Sequence, residues 1–71
     1  MRFLVVIEEG PESFGAYVPD LPGCIAVGTT REEALVLMHE AIASHLEELR
    51  ERGQGIPAPT SSVETVEVEL A

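Results

Sequence analysis

The 71-residue chain has no lysine and no tryptophan, and only one cysteine, one aspartate and one tyrosine. Without lysine, four arginines face 13 acidic residues, for a formal net charge of -9. A surface of that sign repels phosphate backbones, which are bound through counterion release to Lys and Arg, so direct nucleic-acid binding is not expected. A lone cysteine, Cys24, excludes an internal disulfide framework and a Cys-rich zinc site, and fits a reduced, cytoplasmic setting. Long apolar runs are missing too. Phe3 to Ile7 is five residues and stops at Glu8-Glu9, too short for a secretory core or a membrane span, so a soluble protein is expected. There are no internal repeats, and the length allows a single domain, residues 1–71.

What remains is apolar enough to fold. Hydrophobic residues make up 45% of the chain and mean hydropathy is +0.16, whereas chains that stay unfolded combine strong charge with little surface to bury. A domain this short buries only about 60% of its unfolded surface, so oligomerisation or a partner is an expected source of extra stability. The acidic field serves solubility, and it would also speed encounter with a basic protein at low salt.

Phe3 to Ile7 reads as a strand ended by Glu8-Glu9-Gly10-Pro11. In Ser13 to Val18, Phe14, Ala16 and Val18 alternate with Ser13, Gly15 and Tyr17, which predicts a second strand paired as a hairpin. Pro22-Gly23 suits the centre of a type II turn, because proline presets φ and glycine tolerates φ > 0. A third strand is expected over Cys24 to Gly28. Thr30 to Glu33 matches a capping box, with the Glu33 carboxylate reaching back to the Thr30 amide. The helix this starts carries Ala34, Leu35, Met38, Ala41, Ile42, Leu46 and Leu49 on one face, with Arg50 and Arg52 complementing its dipole and Gly53 at C′. Gly53 to Pro59 reads as an extended connector. Val66, Val68 and Leu70 alternate with Glu67 and Glu69 in a fourth strand over Val63 to Leu70. The order β-β-β-α-β predicts an α+β fold, a three-stranded antiparallel meander with one long helix and then a C-terminal strand.

A single helix covers one sheet face. Phe3, Val5 and Ile7 can meet it, which leaves Leu4 and Val6 on an apolar opposite face. The expected cover is a second copy of the chain or another protein, making Leu4 and Val6 an expected oligomer interface; the alternative is that the connector or C-terminal segment folds across them.

The string Tyr17-Val18-Pro19-Asp20-Leu21-Pro22-Gly23-Cys24, followed by Gly28-Thr29-Thr30, Glu32-Glu33-Ala34, Glu40-Ala41 and the Gly53 to Pro59 segment, resembles the HicB-type antitoxins. The pieces follow that family's order and spacing over nearly the whole chain, and the Pro-Asp-Leu-Pro-Gly-Cys string is the most distinctive of them. The resemblance implies a partial ribonuclease H-like fold that binds and masks a small basic ribonuclease toxin of the HicA type; the alternative is an orphan member that forms a homo-oligomer and has no toxin partner. Many members carry a further C-terminal DNA-binding domain; with Ala71 as the last residue, no such domain is expected here, nor operator binding by this chain alone.

The implied fold invites a search for a two-metal carboxylate cluster, which needs several acidic side chains converging from strand ends. Asp20 sits in a turn, where Asp favours local hydrogen bonds, and Pro19 to Cys24 read as a structural motif. Glu67 and Glu69 read as a solvated strand face, and Glu8 and Glu9 as charges blunting a sheet edge. His39 and His45 lie six helical positions apart, roughly 120° between faces, and cannot share a metal. His45 is expected to pack partly buried and His39 on a flank. Cys24 has no visible base to lower its thiol pKa and reads as a core residue. No catalytic residue, metal or cofactor is assigned. Opposite the core stripe, Glu33, Glu40, Glu47 and Glu51 surround Val36 and Ala43, an acidic strip suited to a basic partner; an ordinary solvated face, supported by Glu47–Arg50 and Glu48–Arg52 pairs, is the alternative.

Overall fold

Three short strands and one long helix make up the regular structure of the chain in a computed structural model, which describes residues 1–70. The strands are β1 (Val6–Glu9), β2 (Phe14–Tyr17) and β3 (Ile25–Gly28), and the helix is α1 (Arg31–Glu51). The sheet is antiparallel in the order β1-β2-β3. The meander followed by a helix agrees with the expected α+β architecture. β1 begins later than the sequence suggests and takes in Glu8 and Glu9, because the hairpin register pairs Glu9 with Phe14 and Val6 with Tyr17. The loop between them closes where the Gly10 amide donates to the Ser13 carbonyl at 2.8 Å.

Strand alternation divides the residues between two faces. Ala16 and Val18 are buried toward α1, with Phe3, Val5, Ile7, Phe14 and Ala26 packed around them. α1 contributes buried Ala34 and Met38, with Ala41, Ile42 and Leu46 along the same stripe. Leu21 is fully buried; removing such a side chain from water stabilises by about 1.5–3 kcal/mol. Leu35, expected in the stripe, lies at its margin, one helical step of about 100° from fully buried Ala34, and is exposed.

Both ends of α1 are closed by local hydrogen bonds. The Glu33 amide donates to the Thr30 hydroxyl at 3.0 Å, as a capping box requires. The Glu33 carboxylate instead accepts from the Thr29 amide, at 2.9 Å, rather than from that of Thr30. At the other end the Gly53 amide donates to the Arg50 carbonyl and the Gln54 amide to the Leu49 carbonyl, with Gly53 at φ +70°. That bond pattern is the Schellman motif, and it requires the left-handed conformation glycine accepts without cost.

The fourth strand expected over Val63 to Leu70 does not form among the described residues. Residues 51–70 are exposed, and no backbone–backbone hydrogen bond joins residues 55–70 to the sheet. Alternation supplies a side-chain pattern, but a strand also needs a ladder, and residues 55–70 make none with either free edge of the sheet, β1 or β3. The consequence shows in the dimensions: the radius of gyration is 14.4 Å, against about 11 Å for a compact chain of this length.

Candidate functional site

The acidic strip lies where helical geometry puts it, on the side of α1 away from the sheet. Glu33, Glu40, Glu47 and Glu51 are all exposed, with Val36 and Ala43 exposed between them. Leu37 adds to the same surface. Glu33 is the member least free to meet a partner, because its carboxylate also caps the helix through Thr29. Arg52 pairs with Glu48, whereas no ion pair forms between Glu47 and Arg50 among the described residues. Those two side chains instead flank a shallow cleft of about 280 Å³ lined also by Ala43, Leu46 and Ile56. His45 is half-buried and His39 exposed, as their helical positions imply.

The Pro19–Cys24 segment folds as two successive tight turns. The Leu21 amide donates to the Val18 carbonyl and the Cys24 amide to the Leu21 carbonyl, both at 3.1 Å. Each turn has proline at its second position, Pro19 and then Pro22. Gly23, at φ +83°, takes the third position of a type II turn. The pair of turns drives Leu21 and Cys24 into the core, where the Cys24 thiol lies 3.9 Å from the Met38 sulfur. Burial pushes the Cys24 thiol above its ordinary value, so the thiolate that would act as a nucleophile is disfavoured.

Asp20 behaves differently from the expectation of a local turn residue. Its carboxylate accepts four hydrogen bonds from residues some forty positions away: from the Ser61 amide at 3.0 Å and hydroxyl at 2.9 Å, and from the Thr60 amide and hydroxyl, each at 3.2 Å. Those donors, the Ser61 amide foremost, hold the carboxyl below its usual value. The double turn therefore fastens the connector to the sheet end. The Thr60-Ser61-Ser62 run is the sequence signal for this contact, a cluster of hydroxyl donors complementary to the chain's sole aspartate.

On the sheet face away from α1 the exposed apolar residues differ from the expected pair. Leu4 and Val6 are half-buried. In the register Val6, Tyr17 and Ile25 form one cross-strand row and Glu8, Gly15 and Val27 the next. Ile25 and Val27 are the most exposed apolar residues in those rows. Gly15 leaves a gap between Glu8 and Val27.

Among the described residues no group of three or more His, Cys, Asp or Glu is arranged to hold a metal ion. No helix among them is long and apolar enough to cross a membrane.

The family model described as "HicB_like antitoxin of bacterial toxin-antitoxin system" matches residues 3–70. A Thermoplasma acidophilum protein, UPF0150 protein Ta0767, is 34% identical over 67 residues, covering 93% of this chain and 97% of that protein. Antitoxin HicB 2 of Photorhabdus laumondii is 33% identical over 64 residues, covering 90% of this chain and 46% of its own length. An uncharacterized 14.9 kDa protein of Haemophilus phage HP1 is 35% identical over 57 residues, covering 80% of this chain and 43% of its own. The chain thus spans nearly all of the first relative and less than half of the other two. A solved structure titled "HicA3 and HicB3 toxin-antitoxin complex" superposes with a TM-score of 0.67 at 31% identity, covering 83% of this chain and 72% of the matched one.

Proposed function

The chain belongs to the HicB-like antitoxins of bacterial toxin–antitoxin systems, and from that premise we propose that it is a noncatalytic module that binds and masks a small basic ribonuclease toxin of the HicA type. The observation that carries this reading is the outer face of α1. Glu40, Glu47 and Glu51 project into solvent around Val36 and Ala43, in a chain of net charge -9 with no lysine. Distributed acids around small apolar contacts suit a basic partner: the charges accelerate encounter and set orientation, while the apolar residues supply area to exclude water. Masking of this kind needs no metal and no proton transfer, so nothing in the chain has to act as acid, base or nucleophile.

The test starts with a tagged chain recovered from its native extract at low salt. A basic protein in stoichiometric amount is then assayed for ribonuclease activity with and without the chain. Titration to full inhibition is the expected result, and undiminished cleavage in the presence of bound chain overturns the masking. Glu40→Lys with Glu47→Lys assigns the surface. Each change reverses a charge at the encounter face, so association should slow by at least tenfold at low salt and the difference should shrink as salt rises. An on-rate equal to wild type at low salt removes α1 as the contact.

A further inference from the structure

We infer that residues Val63–Leu70 form an intermolecular strand, adding to the β3 edge of a second copy of this chain in reciprocal exchange. In this segment Val66, Val68 and Leu70 alternate with Glu67 and Glu69, the period of a strand with one apolar face. Those three side chains are 82%, 71% and 93% exposed. The segment has no backbone–backbone hydrogen bonds of its own to the sheet. Yet it does not start from a free point: Asp20 holds Thr60 and Ser61 through four hydrogen bonds. The segment therefore leaves the sheet end from a fixed base, which lowers the ordering cost of seating it elsewhere.

The sheet has two edges, and charge chooses between them. β1 ends in Glu8 and Glu9, which would lie alongside Glu67 and Glu69. β3 is Ile-Ala-Val-Gly and carries no charge. Its residues Ile25 and Val27, 69% and 62% exposed, stand on the sheet face away from α1. A strand seated on β3 with Val66, Val68 and Leu70 on that side would extend the apolar face, while Glu67 and Glu69 would fall on the other.

The donor segment and the acceptor edge belong to the same chain, so two copies can pair both β3 edges at once about a two-fold axis. Val63, Val66, Val68, Leu70, Ile25 and Val27 are exposed in each copy, so the exchange brings uncovered apolar side chains together at two equivalent seams, beside the backbone ladder that each added strand makes. The exchange stands apart from the toxin reading, since neither α1 nor a basic partner takes part in it.

The test is the native mass of the full chain at micromolar concentration, by light scattering, beside the variant Thr65→Pro/Glu67→Pro. The two prolines delete backbone donors from the segment and leave every apolar side chain in place. The expected result is a wild-type mass of twice 7.6 kDa that falls to 7.6 kDa in the variant, with helical circular dichroism unchanged because the segment does not touch the core. Hydrogen exchange on the unaltered protein gives a second reading: amides of residues 63–70 should gain at least tenfold protection as concentration rises through the dimerisation range. A monomeric wild type overturns the inference. So does a dimer that survives both prolines, which would place the contact on stacked sheet faces, and so does protection of residues 63–70 that appears only when a basic partner is added.

Discussion

Gly28 should be the most sensitive glycine in the chain, and for a reason of distance rather than conformation. A Cβ placed on Gly28 would lie 2.6 Å from the Ala34 nitrogen and 3.0 Å from its Cα. Both atoms belong to the first turn of α1, so no side-chain rotation relieves the contact; the helix start must move by about 0.8 Å to restore ordinary spacing, and Ala34 is fully buried against the sheet. Overpacking of that kind costs about 2–3 kcal/mol. For a domain of this size it lowers Tm by about 10–20 °C. Gly23→Ala provides the contrast: nothing lies within 4 Å of its added Cβ, but φ is +83°, and left-handed backbone costs an alanine about 1–2 kcal/mol. Gly55→Ala has neither constraint and should stay within about 0.5 kcal/mol of wild type. The assay is thermal unfolding followed by circular dichroism, all variants at one concentration so that association affects them alike. The expected order of loss is Gly28, then Gly23, then Gly55. A Gly28→Ala Tm within about 2 °C of wild type, or above that of Gly23→Ala, would refute the close approach of β3 to α1.

Thr30→Ala removes the hydroxyl that accepts from the Glu33 amide and should cost about 1 kcal/mol, read as a shifted urea midpoint with an unchanged slope. Leu21→Ala empties a fully buried position between the two turns and should cost about 2–5 kcal/mol in the same assay. The Asp20 carboxyl is depressed by the Ser61 and Thr60 donors, so the contact it makes is at full strength above the ordinary carboxylate value and is lost as pH falls through the lower, folded value. Exchange of the Thr60 and Ser61 amides should therefore stay protected at pH 5 and lose protection only in stronger acid, with Asp20→Asn weakening it at every pH. The Cys24 thiol, raised by burial, keeps its stabilising effect below its unfolded value and loses it as pH rises toward the folded one; a disulfide reagent at pH 8 should label the denatured chain quickly and the native chain at least tenfold more slowly.

The elements legible in the sequence are those whose determinants are local. Thr30, Glu33 and Gly53 mark the ends of α1 because caps are made by residues within a turn of one another. Pro22-Gly23 names its turn through φ alone. Strand limits were harder, since the register that draws Glu8 and Glu9 into β1 depends on where Phe14 lands across the hairpin. The alternation of Phe3 to Ile7 singles out Leu4 and Val6 for the outer sheet face, yet both are half-buried and the exposed apolar residues on that face are Ile25 and Val27, in a strand too short and too near a turn for its alternation to stand out.

Asp20 and the tail were illegible for a common reason. A turn aspartate bonds locally by default, and only the folded chain brings Thr60 and Ser61 to it. Alternation in Val63 to Leu70 likewise states which side chains would share a face and says nothing about which edge receives them. The two facts are complementary. By tying residues 60 and 61 to the turn, Asp20 fixes where the tail departs, and the acidic end of β1 with the uncharged length of β3 fixes which edge repels it least. Asp20→Ala then separates anchoring from pairing. If the fixed departure point contributes to the exchange, the dimer dissociation constant should rise while the monomer fold persists; equal dissociation constants for the two proteins would show that the ladder and its apolar face suffice without the anchor.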